Sequence, residues 1–170
     1  MRSTDLNSIC IKMLFLILLF YVEVSSAQPG LPQRVVTVSP SQNLYFGLFL
    51  DMNGSGGTIS IDWQGNRTTT GSIVALPSYP GWPALFEIKL CQGRNVIITY
   101  DLTTTLTETN GEALTLDIGP TEKGENGAVF ATDNNCNFIT VLRVGGTLHI
   151  PPNSTAAEYN GNFEISFEQQ

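Results

Sequence analysis

The sequence is poor in the residues that carry most enzyme and metal chemistry. It has one histidine, His149, three cysteines, and eight basic residues against fifteen acidic ones. With a single imidazole, a Ser-His-Asp triad or a His-based zinc centre would have to be built around His149 alone. That residue lies in a strand-like pattern, beside no acidic or cysteine cluster along the chain. The net charge of −7 has the wrong sign for nucleic acid or an anionic membrane, whose phosphates are held by clustered Lys and Arg. No convincing helical periodicity is present. The longest apolar run, 13–22, is about half of the ~20 residues that a membrane-spanning helix needs.

That run has the form of a secretory signal. Arg2 and Lys12 precede it, and Ser25-Ser26-Ala27 offers small residues for cleavage before Gln28. The expected organisation is a signal peptide at 1–27, a Pro/Gly-containing flexible leader at 28–33, and a single domain at 34–170. Removing the signal takes away two basic and two acidic residues, so the balance of −7 persists. An exported chain is expected at the cell surface, outside the cell or in the periplasm, with no membrane contact after cleavage. Cys10 leaves with the signal, and Cys91 and Cys136 remain. In an oxidising compartment their default state is a disulfide, worth about 4 kcal/mol by the chain-entropy argument. A metal or redox pair would need further ligands or a Cys-x-x-Cys spacing, which the sequence lacks.

What the sequence has in quantity is alternation. In 138–150, Phe138, Thr140, Leu142, Val144, Gly146, Leu148 and Ile150 share one parity. In 159–167, Tyr159, Gly161, Phe163, Ile165 and Phe167 do the same. Side chains on a strand point to opposite faces in turn, so both runs are half-buried strands separated by the Pro151-Pro152 stop. Gly145-Gly146 marks a place where a long strand can bulge or bend. The same rule finds Ile59, Ile61 and Trp63; Ala84, Phe86, Ile88 and Leu90; Val96, Ile98, Tyr100 and Leu102; and Leu114, Leu116 and Ile118. Residues 34–39 form a short strand, an edge or an extension, ended by Pro40. In 43–51, Leu44, Phe46, Leu48 and Leu50 share one parity and Tyr45 and Phe49 the other, so both faces are expected to be covered. The turn at 53–57 makes 43–51 and 58–63 a hairpin. Then come a strand at 68–76, an irregular loop at 77–83 and a long loop at 119–137. About eight to ten short strands without an internal repeat predict an all-β fold, an antiparallel β-sandwich of immunoglobulin-like or pilin-like kind.

Candidate binding chemistry is sparse. Asp51, Asn53 and Ser55, followed by Asp62, reproduce the oxygen spacing of a calcium loop at several positions. Their flanks read as strands rather than helices, and Gly/Asn/Ser segments are also ordinary hairpin turns. Tyr79 and Trp82, in the proline-rich loop, could present flat rings to a sugar or pack onto the sandwich instead. Trp63 shares the parity of Ile59 and Ile61 and is assigned to the core. The carboxylates Asp117, Glu122, Glu125 and Asp133 could surround a cation or serve as acid and base, but in a loop they read most simply as solvated groups. No catalytic residue and no cofactor is indicated.

Leu44-Tyr45-Phe46-Gly47, Gly57-Thr58-Ile59, Gly65-Asn66-Arg67 with Thr70-Gly71, Pro83-Ala84-Leu85-Phe86, Val144-Gly145-Gly146-Thr147-Leu148 and Tyr159-x-Gly161-x-Phe163-x-Ile165 together carry a resemblance. Over most of the chain beyond the signal, these residues resemble a bacterial exported family, domain of unknown function 4402. The Cys91/Cys136 pair departs from that pattern. The resemblance implies no established activity and no catalytic residues. The tail is also similar to the end of chaperone-usher pilins, where a terminal strand pairs with a periplasmic chaperone. The functional expectation is therefore a non-enzymatic cell-surface structural protein, a fimbrial-like subunit. Its partners would be itself, other surface subunits or a periplasmic chaperone, met through Val36, Val38, Phe163, Ile165 and Phe167. The same strands could instead pair inside one complete sandwich. The alternative function is a periplasmic or secreted carbohydrate-binding module using Tyr79 and Trp82.

Overall fold

A computed structural model describes residues 36–90, 95–133, 135 and 137–169. The expected signal and leader and both cysteines of the expected disulfide, Cys91 and Cys136, lie outside the described residues. The described chain is all-β and antiparallel, with no α-helix among the described residues. Its strands are β1 (Val36–Gln42), β2 (Phe49–Asp51), β3 (Gly57–Ile61), β4 (Arg67–Gly71), β5 (Ile73–Ala75) and β6 (Ala84–Leu90). The series continues with β7 (Asn95–Tyr100), β8 (Thr103–Thr107), β9 (Ala113–Thr121), β10 (Val129–Ala131), β11 (Thr140–Ile150) and β12 (Ile165–Gln169).

β11 organises the larger, seven-stranded sheet. Its first half pairs with β6, from Thr140 opposite Ile88 to Val144 opposite Ala84. Its second half pairs with β3, from Gly146 opposite Ile61 to Ile150 opposite Gly57. Thr147 faces Ser60 on β3 and Asp117 on β9, so this half is bonded along both edges. The change of partner falls at Gly145, where the register with β9 also shifts. A Cβ at Gly145 would run into the carbonyl of Ile61, so only glycine allows β3 to approach this closely. The sequence reading of Gly145-Gly146 as a bulge thus corresponds to a real irregularity. β1 adds to β6, β4 to β3 and β8 to β9. A second sheet has the order β10-β7-β12, and β2 with β5 forms a short ribbon.

The inward parities close over a common core. Ile59, Ile61, Ile88, Leu90, Val96, Ile98, Leu114, Leu142 and Val144 are fully buried and come from five different strands of the two larger sheets. Burying such aliphatic side chains is the main stabilising term, about 1.5–3 kcal/mol each. The faces turned away are rich in threonine. Thr103, Thr115, Thr147, Ser60, Thr68 and Thr70 lie across neighbouring strands. Thr58 and Thr70 are joined through their hydroxyls at 2.7 Å, as are Ser60 and Thr147 at 2.9 Å.

Several expectations are corrected. β2 pairs with β5, not with β3, so the predicted hairpin of 43–51 with 58–63 does not form. The intervening loop turns the chain away, and β3 makes its hairpin with β4. The strand expected over 68–76 is divided at Gly71 and Ser72 into β4 and β5. The parity of 43–51 is broken at Gly47, whose φ is +76°. Phe46 is buried before it, while Phe49 turns inward after it and leaves Leu48 and Leu50 exposed. β1 continues through Pro40, which an edge strand tolerates because one of its edges needs no donor, and its register shifts between Pro40 and Gln42. The threonine-rich stretch at 103–107 is a strand, and Phe138 and Leu102 are exposed. Trp63 is only half-buried, just beyond the end of β3.

Replacing Ile88 with Ala is expected to lower the unfolding free energy by about 2–5 kcal/mol in a urea titration, because the site is closed on all sides. A loss below about 1 kcal/mol would mean that the two sheets do not share this core.

Candidate functional site

The best-defined exposed arrangement is the loop between β5 and β6. Tyr45 and Trp82 form an isolated antiparallel bridge, with the Tyr45 N–H donating to the Trp82 carbonyl at 2.9 Å and the reverse bond at 2.7 Å. Their rings stand 4.7 Å apart between centroids, tilted by 38°. Tyr45 is 43% exposed and Trp82 41%, so the pair is open to solvent. The sequence singled out Tyr79 and Trp82, but the ring beside Trp82 belongs to Tyr45. Tyr79 is 54% exposed and joins no aromatic pair among the described residues. Nothing in a linear pattern marks Tyr45 as the neighbour of Trp82, because a single bridge across thirty-seven residues brings the two together.

Arg67, at the start of β4, fastens this loop. Its guanidinium donates to the carbonyls of Phe46 at 3.1 Å, Tyr79 at 2.8 Å and Leu76 at 2.8 Å. A planar fork with five donors can serve several carbonyls at once, which a lysine point charge does less well. Gly47 lies directly against the clamp, since a Cβ there would strike the Tyr79 carbonyl and the Arg67 guanidinium. Gln42 adds a bond from its amide to the Pro83 carbonyl at 2.7 Å. The aromatic pair therefore sits on a tied loop, the condition for a preorganised binding surface.

The calcium candidates do not converge. Asp51 ends β2 and Asn53 and Ser55 lie in the loop that leads to β3, whereas Asp62 follows the other end of that strand. Asp51 is occupied as a turn cap. Its carboxylate accepts the Ser72 hydroxyl and the N–H groups of Gly56 at 2.9 Å and Gly54 at 3.0 Å. The Ser72 hydroxyl first, and then these N–H groups, hold Asp51 below its ordinary pKa against the opposing effect of desolvation. Asp62 accepts N–H bonds from Gln64 at 2.9 Å and Asn66 at 2.8 Å, and the Asn66 side-chain amide at 2.7 Å. Desolvation pushes that carboxyl up, but the donors together outweigh it and leave it below its ordinary value. Among the described residues no group of three or more His, Cys, Asp or Glu side chains could hold a metal ion.

His149 has an acidic neighbour that sequence distance concealed. Its Nε2 lies 2.7 Å from Asp117 Oδ2 across β11 and β9, and both side chains are nearly half exposed. The pair stands on an open, threonine-rich sheet face rather than in a pocket.

The candidate strand-pairing residues are also placed. Val36 and Val38 are half-buried on β1, opposite Leu90 and Ile88 of β6. Ile165 and Phe167 are half-buried on β12, opposite Tyr100 and Ile98 of β7. Phe163 lies before that strand, with its ring 6.1 Å from Phe86, and the Phe167 ring is 6.4 Å from the same residue. Only the last part of the alternating tail is laddered, yet Tyr159, Phe163, Ile165 and Phe167 all keep the inward parity.

Replacing Arg67 with Met should destabilise the domain by about 2 kcal/mol or more, because three carbonyls lose a charged donor. In a Trp63→Phe background, Trp82 emission should also shift to the red; unchanged denaturation and emission would show that Arg67 does not hold the loop. Asp51→Asn should be less stable than the wild type at neutral pH. Because the folded state favours the ionised carboxyl, that difference is fully present above the ordinary aspartate value of 3.8 and shrinks as pH falls through the lower folded value. Urea titrations of both proteins across this range test the sign.

No curated protein and no solved structure matches the chain. A family model described as "Domain of unknown function (DUF4402)" matches residues 36–168, from the start of β1 into β12. That match takes in both sheets, the Arg67 clamp and the Tyr45–Trp82 bridge, and the chain belongs to this family, domain of unknown function 4402.

Proposed function

We propose that this chain is an exported, non-enzymatic structural protein of the cell surface, a fimbrial-like subunit that associates by β-strand pairing. The observation that carries the reading is the placement of the two terminal strands. β1 pairs only with β6 and β12 only with β7 among the described residues, so each keeps one unpaired edge. They belong to different sheets, yet they come close to one another. Open edges offer rows of N–H and C=O groups to another strand, and strand addition is a general mode of protein association. Half-buried Val36, Val38, Ile165 and Phe167 give these edges an apolar side on which an added strand could pack. The signal-like pattern at 1–27 supports export, and a periplasmic chaperone would protect such edges before assembly.

A second reading rests on the Tyr45–Trp82 pair: a secreted or periplasmic carbohydrate-binding module, with the exposed rings as its platform. A sugar-dependent change in Trp82 fluorescence is the result that would favour it.

The first reading is tested on material sheared from the native cell surface, separated by electrophoresis with and without boiling and detected with an antibody to the domain. A ladder that collapses on boiling is expected, and deletion of 34–39 should abolish it. A single monomer band, or signal confined to the periplasm, would remove the polymer reading.

A further inference from the structure

A cleft of about 440 Å³ opens where β7 ends and the chain turns into β8. Tyr100 and Leu102 form one side, the end of β9 from Ile118 to Pro120 another, and the turn carrying Glu125 and Asn126 the third. Its walls are bonded to each other. The Ile118 N–H donates to the Leu102 carbonyl at 2.8 Å, and the Tyr100 N–H donates to Asn126 Oδ1 at 3.0 Å. The turn itself is closed by the Ala128 N–H on the Glu125 carbonyl at 2.9 Å and held to β7 by the Gly127 N–H on the Ile98 carbonyl at 2.8 Å. The volume lies in the range of small-molecule sites.

The lining is chemically one-sided. Leu102, Ile118 and Pro120 supply hydrocarbon, and Leu102, which departs from the inward parity of Val96, Ile98 and Tyr100, is 61% exposed. The only ionisable groups in the lining are the Glu125 carboxyl and the Tyr100 phenol, and no Lys, Arg or His contributes to it. Among the described residues Glu125 has no ion-pair partner. Burial, and then the charge of Glu125, push the phenol above its ordinary value, while the Asn126 backbone N–H acts the other way. The Glu125 carboxylate repels anions, and the lining holds no cation to offset it. A plain hydrocarbon would desolvate the carboxylate without giving it a partner, which is costly. An ammonium group with a compact hydrocarbon body answers both walls, with its charge toward Glu125, its cation beside the Tyr100 ring and its carbons against Leu102, Ile118 and Pro120.

We infer that this cleft is a binding site for a small organic ammonium ion, oriented by Glu125 and Tyr100. Tyr100 sits opposite Ile165 of β12, on the edge of that strand that is already paired with β7, so the site leaves the unpaired edge of β12 free.

The test is an NMR titration of the exported chain with cyclohexylammonium chloride at constant ionic strength, with cyclohexanol as the neutral counterpart. Saturable shifts of the Tyr100 and Asn126 amides are expected with the amine. Glu125→Gln, at an exposed turn position, should fold normally and weaken binding at least about fivefold, as should loss of charge on the ligand. Leu102→Ala should weaken it as well, without altering the preference for the cation. An absence of saturable shifts at about 10 mM amine, or equal binding of cyclohexanol, or an affinity unchanged by Glu125→Gln, would each overturn the assignment.

Discussion

Strand β11 is bonded to β6 along its first half and to both β3 and β9 along its second, and most of the larger sheet is attached through those ladders. Eleven residues can serve three partners because the chain is free of a side chain at Gly145, where β3 presses against it. The alternation on either side continues inward, so Leu142, Val144, Leu148 and Ile150 all reach the core. On the solvated outer face the opposite parity carries Arg143, Thr147 and His149 on β11, and threonines on the strands around its second half. Threonine is β-branched, fits a pleated surface, and bonds to its cross-strand neighbour.

The loops are held by a different kind of interaction. Asp51 and Asp62 cap turns by accepting backbone N–H groups, and Arg67 gathers three carbonyls from two separate segments. These bonds answer the need of irregular backbone for partners once it leaves a ladder. Their effect is to position Tyr45 and Trp82 on a surface that the β-ladders alone would not define. Oxygen atoms that look like cation ligands along the chain are thereby engaged in folding the chain.

The terminal strands join the fold and its proposed function. Both complete the core with half-buried apolar side chains, and both end a sheet. An edge strand is a hazard when it is apolar and unpaired, and it becomes useful when a partner strand is supplied. The Phe86 ring, near both Phe163 and Phe167, links the face of β6 to the C-terminal tail. Closing the core and the proposed strand pairing therefore make demands on the same segments.

Legible along the chain were the all-β class, the inward residues of β3, β6, β7, β9 and β11, and the weak point at Gly145-Gly146, because period-two alternation and glycine chemistry act over a few neighbouring residues. The sequence also supported the family, through short motifs spread along the chain. Folding in three dimensions set which strands pair, since a ladder contributes the same backbone bonds whichever neighbour supplies them. Local punctuation thus favoured β2 with β3, and the capped loop and Gly47 turned β2 toward β5. It likewise decided that Trp82 meets Tyr45, that Arg67 clamps the loop, that His149 meets Asp117, and that Leu102 and Glu125 share a cleft. Each of these joins residues that are not neighbours in sequence, and strand pairing within a sheet or the return of a loop onto it brings them together.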